Sequence, residues 1–112
     1  APFWLYAKAG ITQAESEFED IQVEFKVGDG TVAKQLALVE DLLARGVKGI
    51  AISPLNPEGQ REKLNQWAEK APLITVDTDI VNSNRRLFLG PDNVALGRQA
   101  GELLKEALPD GG

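Results

Sequence analysis

The chain has 112 residues, 43% of them hydrophobic and 26% charged, and no apolar run approaches the ~18 residues a membrane helix needs, so it reads as one globular domain or lobe. Twelve Lys and Arg against seventeen Asp and Glu leave a net charge of −5, and no basic cluster exceeds Arg85-Arg86, which argues against a nucleic-acid partner. Cysteine and histidine are absent, which excludes Cys/His metal sites, thiol nucleophiles and any Ser-His or Cys-His catalytic pair.

The chain opens APFWLYAKAG. Ala7, Ile11, Ala14 and Phe18 recur at spacings of four, three and four, predicting a helix from Phe3 to about Glu19. IQVEFKV (21–27) alternates strictly, placing Ile21, Val23, Phe25 and Val27 on one face of a predicted strand. Gly28-Asp29-Gly30 breaks it. Thr31 then suits the N-cap of a helix with Val32, Leu36, Val39 and Leu43 on one stripe, closed by Arg45 and Gly46. GIAIS (49–53) is short and continuously apolar, the pattern of a parallel strand covered on both faces, and Pro54 and Pro57 end it. A third helix from Pro57 to Lys70 turns Leu64, Trp67, Ala68 and Ala71 inward. PLITVD (72–77) predicts a second buried strand with Asp77 at its carboxyl end, and the polar loop TDIVNSNR leads to a short strand, RLFLG (86–90). The last helix runs from Asp92 or Asn93 to Leu108, with Gly97 and Gly101 allowing close packing.

Alternating helices and covered strands imply an α/β fold, a three-layer doubly wound parallel sheet. A helix that opens such a sheet normally follows a strand, so residues 1–112 are expected to be a fragment of one lobe, without its first central strand. Open α/β sheets bind ligands beyond the carboxyl ends of their strands. That rule selects Phe3 and Trp4, Gly28 to Gly30, Ser53 to Asn56, Asp77, Thr78 and Asp79, and Pro91, Asp92 and Asn93. Aromatic faces beside fixed carboxylates suit a sugar, whose CH face packs on a ring while a carboxylate accepts from its hydroxyls. The plainer alternatives are that Phe3 and Trp4 plug the sheet end and that Asp77 is a turn or cap acid.

Asp77 and Asp79, two apart and so about 6.6 Å apart on a strand, are spaced permissively for an acid/base pair in a glycoside-processing enzyme. Asp77, Asp79 and Asp92 also offer hard oxygen ligands, but no spaced acidic loop accompanies them, and neither a metal nor another cofactor is expected. GDGT lacks both the Lys-Ser/Thr of a phosphate loop and GxGxxG, and reads as a strand-to-helix turn. Arg85-Arg86 reads as a solvated loop pair.

PFW opening a helix, DLLARGVKGIAISPLNPEG, PLITVDTDI and LGPDNVALGRQAGELLKEALPDGG together resemble the N-terminal lobe of periplasmic sugar-binding proteins of the ribose-binding type, which serve ABC importers. The resemblance implies a type I periplasmic-binding-protein lobe, no enzymatic activity, and a second lobe hinged to the first around a monosaccharide. It also implies a periplasmic or extracellular location, free or lipid-anchored, and an ABC permease as partner. The missing strand and second lobe, or another chain, would fill the gap in the sheet. By the same resemblance Phe3 and Trp4 match the aromatic pair on the sugar ring, and Asp77 matches the acid that takes its hydroxyls. Ser53 stands where ribose binders place Asn, and Thr78 where they place Arg, departures that weigh against ribose itself. Asp79 recurs in relatives reading VDSD or VDTD, and Pro91, Asp92 and Asn93 match the hinge crossover. Sugar sensors and effector domains of lac-repressor-type regulators share the fold.

Overall fold

The computed structural model describes residues 2–111 as four helices and a three-stranded sheet: α1 (Pro2–Glu17), α2 (Val32–Ala44), β1 (Ile50–Ile52), α3 (Pro57–Lys70), β2 (Leu73–Val76), β3 (Phe88–Leu89) and α4 (Asn93–Ala107). The strands lie in the order β1-β2-β3, all parallel, with Ile50 opposite Leu73 and Thr75 opposite Phe88. The parallel α/β class is as the sequence predicts, and so are the helix boundaries to within two residues.

Local chemistry explains the ends. The Thr31 hydroxyl accepts from the Lys34 amide at 3.2 Å and donates to Asp29 at 2.7 Å, while Gly30 takes a φ of 89°, so GDGT is a capping turn. At the other end of α2, Gly46 adopts a φ of 82° and its N–H reaches the Leu43 carbonyl at 3.0 Å, a left-handed stop suited to glycine. Asn56 caps α3 ahead of Pro57, accepting from the Gly59 amide at 3.1 Å.

Ile50 and Ile52 of β1 share a face with Leu73 and Thr75 of β2, and onto it pack Val39 of α2 and Leu64 and Trp67 of α3, with Ile80 from the following loop. These side chains are the core. Trp67 is 1% exposed, and its indole N–H donates to Glu40 at 2.9 Å, which also binds Lys63 at 2.7 Å.

Several expectations are corrected. Residues 21–27 form no strand: among the described residues none lies alongside to supply ladder partners, and alternation alone does not hold a strand. The segment is tied instead by side chains, the Val23 amide to the Glu15 carboxylate and Glu24 to Arg45 at 2.8 Å. β1 is covered on one face only, since Ala51 is exposed between buried Ile50 and Ile52. Gly97 and Gly101 make no close contact, because α4 buries no residue and a Cβ at either position would meet nothing within 4 Å.

α1 likewise buries nothing completely. Its half-buried stripe is Trp4, Ala7, Ile11 and Glu15, rotated from the predicted Ala7, Ile11, Ala14 and Phe18, and Phe18 is exposed beyond the helix end. The radius of gyration, 17.4 Å, exceeds the about 13 Å of a packed domain this long, as outlying helices require.

Candidate functional site

Two strand ends carry the predicted polar residues. After β1, Ser53 is half-buried, and its carbonyl accepts from Gln35 Nε2 at 2.8 Å. Gln35 Oε1 accepts from the Leu55 amide at 3.2 Å and from Gln60 Nε2 at 2.9 Å, while Gln60 Oε1 accepts from the Asn56 amide at 2.7 Å. Gln60 is 1% exposed, so the two glutamines form a satisfied polar clamp that fixes the Ser53–Asn56 loop from beneath. The sequence carried a sign of this. Gln60 falls on the inward stripe of α3 with Leu64, Trp67 and Ala71, where a polar residue needs a partner.

After β2, the Asp77 N–H donates to the Leu89 carbonyl at 2.9 Å and the Thr78 N–H to the Val76 carbonyl at 2.7 Å, closing a three-residue turn around Asp77. Asp77 has a φ of 65°, a sign that costs a non-glycine residue about 1 kcal/mol and that Asp tolerates better than most. Gly90 makes room for this turn, because a Cβ there would lie 3.3 Å from Asp77 Cα and 2.7 Å from Phe88 Cε2. Asp77 is half-buried as a residue, and among the described residues its carboxylate accepts no hydrogen bond.

Asp79 behaves differently. One oxygen accepts the Thr75 hydroxyl at 2.7 Å and the Arg85 Nε, the other accepts Arg85 Nη2 at 2.7 Å, and the pair is mostly shielded, 19% and 23% exposed. The guanidinium, with the Thr75 hydroxyl, holds the Asp79 carboxyl down at about 2 from its usual 3.8. Arg85 is thus no solvated loop residue, although Arg86 is exposed as expected. Asp79, saturated by Arg85, is unsuited to acid/base work beside Asp77.

A folded carboxyl lowered below its unfolded value stabilises the fold above the unfolded pKa and loses that contribution as pH falls through the folded one. Urea midpoints are therefore expected to carry an Asp79 contribution that is intact at about pH 5 and lost between about pH 4 and pH 2. Subtracting the same series for Arg85→Gln isolates it, because that variant lacks the partner; identical pH profiles for the two proteins would contradict the assignment.

Phe3 and Trp4 meet edge to face, ring centroids 4.9 Å apart at 83°. Phe3 is 56% exposed; Trp4 is half-buried and lines a groove of about 1420 Å³ with Ile11, Phe25, Leu38, Ala51 and Ser53. The structure thus brings Trp4 and Ser53 onto one groove, which reaches Val76 beside Asp77. Phe3, Asp77, Thr78 and Asp79 do not line it. Pro91, Asp92 and Asn93 are exposed, and Asp92 caps α4 by accepting from the Val94 and Ala95 amides at 3.1 and 3.0 Å. Asp77, Asp79 and Asp92 do not converge: among the described residues no cluster of three acids is placed for a metal ion.

A parallel sheet followed by polar residues beyond the carboxyl ends of its strands is the frame of an open α/β lobe, a class of fold that binds ligands at that end. The chain belongs to the periplasmic binding protein family, whose domain model, described as "Periplasmic binding protein domain", matches residues 1–112. It is 30% identical over 112 residues to the ribose import binding protein RbsB of Haemophilus influenzae, covering 97% of this chain and 37% of that protein. To the D-allose-binding periplasmic protein of Escherichia coli it is 28% identical over 116 residues, covering 96% and 37%. Among solved structures it is similar to the XylFII molecule, with a TM-score of 0.82 at 31% identity over 96% of this chain and 40% of that one, and equally to a chain of a XylFII-LytSN complex. The ribose and allose relatives are binding proteins and not enzymes, and the chain spans 37% of the length of each and 40% of the XylFII chain. No helix among the described residues is long and apolar enough to cross a membrane.

Proposed function

We propose that this chain supplies one half of a monosaccharide site, in a two-lobed binding protein that closes on its sugar and delivers it to an ABC import permease outside the cytoplasmic membrane. The observation that carries the proposal is half-buried Asp77 at the end of β2, held by its turn, with a carboxylate that has no hydrogen-bond partner among the described residues. Such a group accepts charge-assisted hydrogen bonds from adjacent sugar hydroxyls. Ribose- and allose-binding relatives of matching sequence support the same ligand class.

In this proposal Phe3 and Trp4 form the apolar wall for the ring, and Ser53 and Thr78 add neutral hydroxyls at the rim. Asp79 stands behind Asp77. Pro91, Asp92 and Asn93 form the hinge segment, and α4, which buries nothing against the sheet, crosses to the second lobe. A strand from elsewhere in the protein occupies the groove along the open edge of β1, where backbone groups otherwise lack partners. Titration calorimetry of the two-lobed protein with D-ribose, D-allose and other aldoses tests this. One member should bind at 1:1 with a Kd of roughly micromolar or tighter. No heat across the panel would refute the proposal.

A second reading, sugar sensing by docking on another protein, has one supporting observation, the solved complex of XylFII with LytSN.

A further inference from the structure

We infer that Thr75, Asp79 and Arg85 form a latch that holds Asp77 in its left-handed turn, making Arg85 a positioning residue for sugar binding. The inference rests on the proposed role of Asp77.

A residue held at positive φ persists only where its surroundings over-determine it, and such positions cluster where a ligand is met. On the sheet side Asp77 is held by the Leu89 carbonyl and by the close approach of Gly90. On the loop side, among the described residues, no hydrogen bond reaches the Asp77 side chain, and the chain is fixed further along. Asp79 does this. It reaches back to the hydroxyl of Thr75, fully buried in β2, and forward to the guanidinium of Arg85, six residues on. Immediately after Arg85 the Arg86 N–H returns to β2 at the Leu73 carbonyl, 2.8 Å away.

The loop from Asp77 to Arg85 is therefore closed on both sides. Its middle is pinned to the core by fully buried Ile80 and to α3 by two bonds, Arg61 Nε to the Val81 carbonyl at 3.2 Å and the Asn84 amide to Asn65 Oδ1 at 2.7 Å. With Asp79 saturated, Asp77 is the acid left to meet a ligand. The depressed Asp79 carboxyl fits an ion pair that persists across ordinary pH. Lysine is a poor substitute for Arg85, because an ammonium cannot place two parallel donors on the two oxygens of one carboxylate.

The test is a double-mutant cycle in the two-lobed protein, read by calorimetry with whichever of D-ribose, D-allose and the other aldoses of the panel the parent protein binds. Arg85→Gln should weaken binding about tenfold, and Arg85→Lys should recover only part of that loss. In an Asp77→Asn background, Arg85→Gln should add little, because the latch acts through the Asp77 carboxylate. Thr75→Val, nearly isosteric and lacking only the hydroxyl, should give a smaller loss of about threefold and serves if Arg85→Gln does not fold. Three results decide. Binding by the parent, weakened by Asp77→Asn but untouched by Arg85→Gln or Thr75→Val, overturns the latch alone. An equal loss from Arg85→Gln in both backgrounds also overturns it, because the effect then does not pass through Asp77. A parent that binds neither sugar nor any other aldose removes the proposed site and the latch with it.

Discussion

Replacing Asp77 by alanine is expected to lower sugar affinity about 100-fold or more in the two-lobed protein. A carboxylate accepting from two sugar hydroxyls contributes through charge-assisted bonds of about 1.5–3 kcal/mol each, and about 3 kcal/mol corresponds to a factor above 100. Alanine also tolerates the φ of 65° less well than aspartate, so part of its effect comes from the backbone. Asp77→Asn separates the two contributions. Asparagine keeps the left-handed turn and the shape while removing the charge, and should cost about tenfold with thermal stability unchanged. Calorimetry beside a melting curve reads both, and an unaltered Kd in both variants would remove Asp77 from the site.

The second large effect is on stability. Trp67 is 1% exposed at the centre of the core, against Leu64 of its own helix and the inward residues of β1 and β2. Truncating such a residue to alanine removes transfer energy and leaves a cavity, at a cost of about 3–5 kcal/mol, a large share of the 5–15 kcal/mol that holds a typical domain. The indole bond to Glu40 is lost as well, leaving Lys63 as that carboxylate's remaining partner. Trp67→Ala should unfold at much lower urea concentration, whereas Trp67→Phe, which keeps most of the packing and loses the N–H, should cost about 1–2 kcal/mol. Equal urea midpoints for the parent and the alanine variant would show that the core is not centred there.

The elements that were legible in the sequence are those whose stabilisation is local or lies within the chain. Thr31, Gly46 and Pro57 mark helix ends through chemistry acting over one turn, and the inward stripe Leu64, Trp67, Ala71 packs as its spacing says. IQVEFKV misled because a strand is a relation between two segments, and alternation describes only one of them. The face of α1 was misplaced for a related reason: Ala14 and Phe18 fit a helical period equally well, and only the groove beside Trp4 and Ile11 selects the actual stripe. At the candidate site the strand-end rule selected Ser53, Asp77 and Asp79 alike, and it could not tell the unpartnered Asp77 from the ion-paired Asp79. That distinction lies in Arg85, six residues away across a loop, and no periodicity links such a pair. Asp92, selected by the same rule, also caps α4, a use that the residue type at that position serves as well.

The central claim, that this lobe presents half of a monosaccharide site built on Asp77, is tested most directly by mass spectrometry of the ligand released on denaturing the two-lobed protein purified without added solute. An aldopentose or aldohexose at one equivalent, absent from the Asp77→Ala protein purified in parallel, is the predicted result. Release of an amino acid, a peptide or a phosphorylated compound in place of a neutral sugar would contradict it.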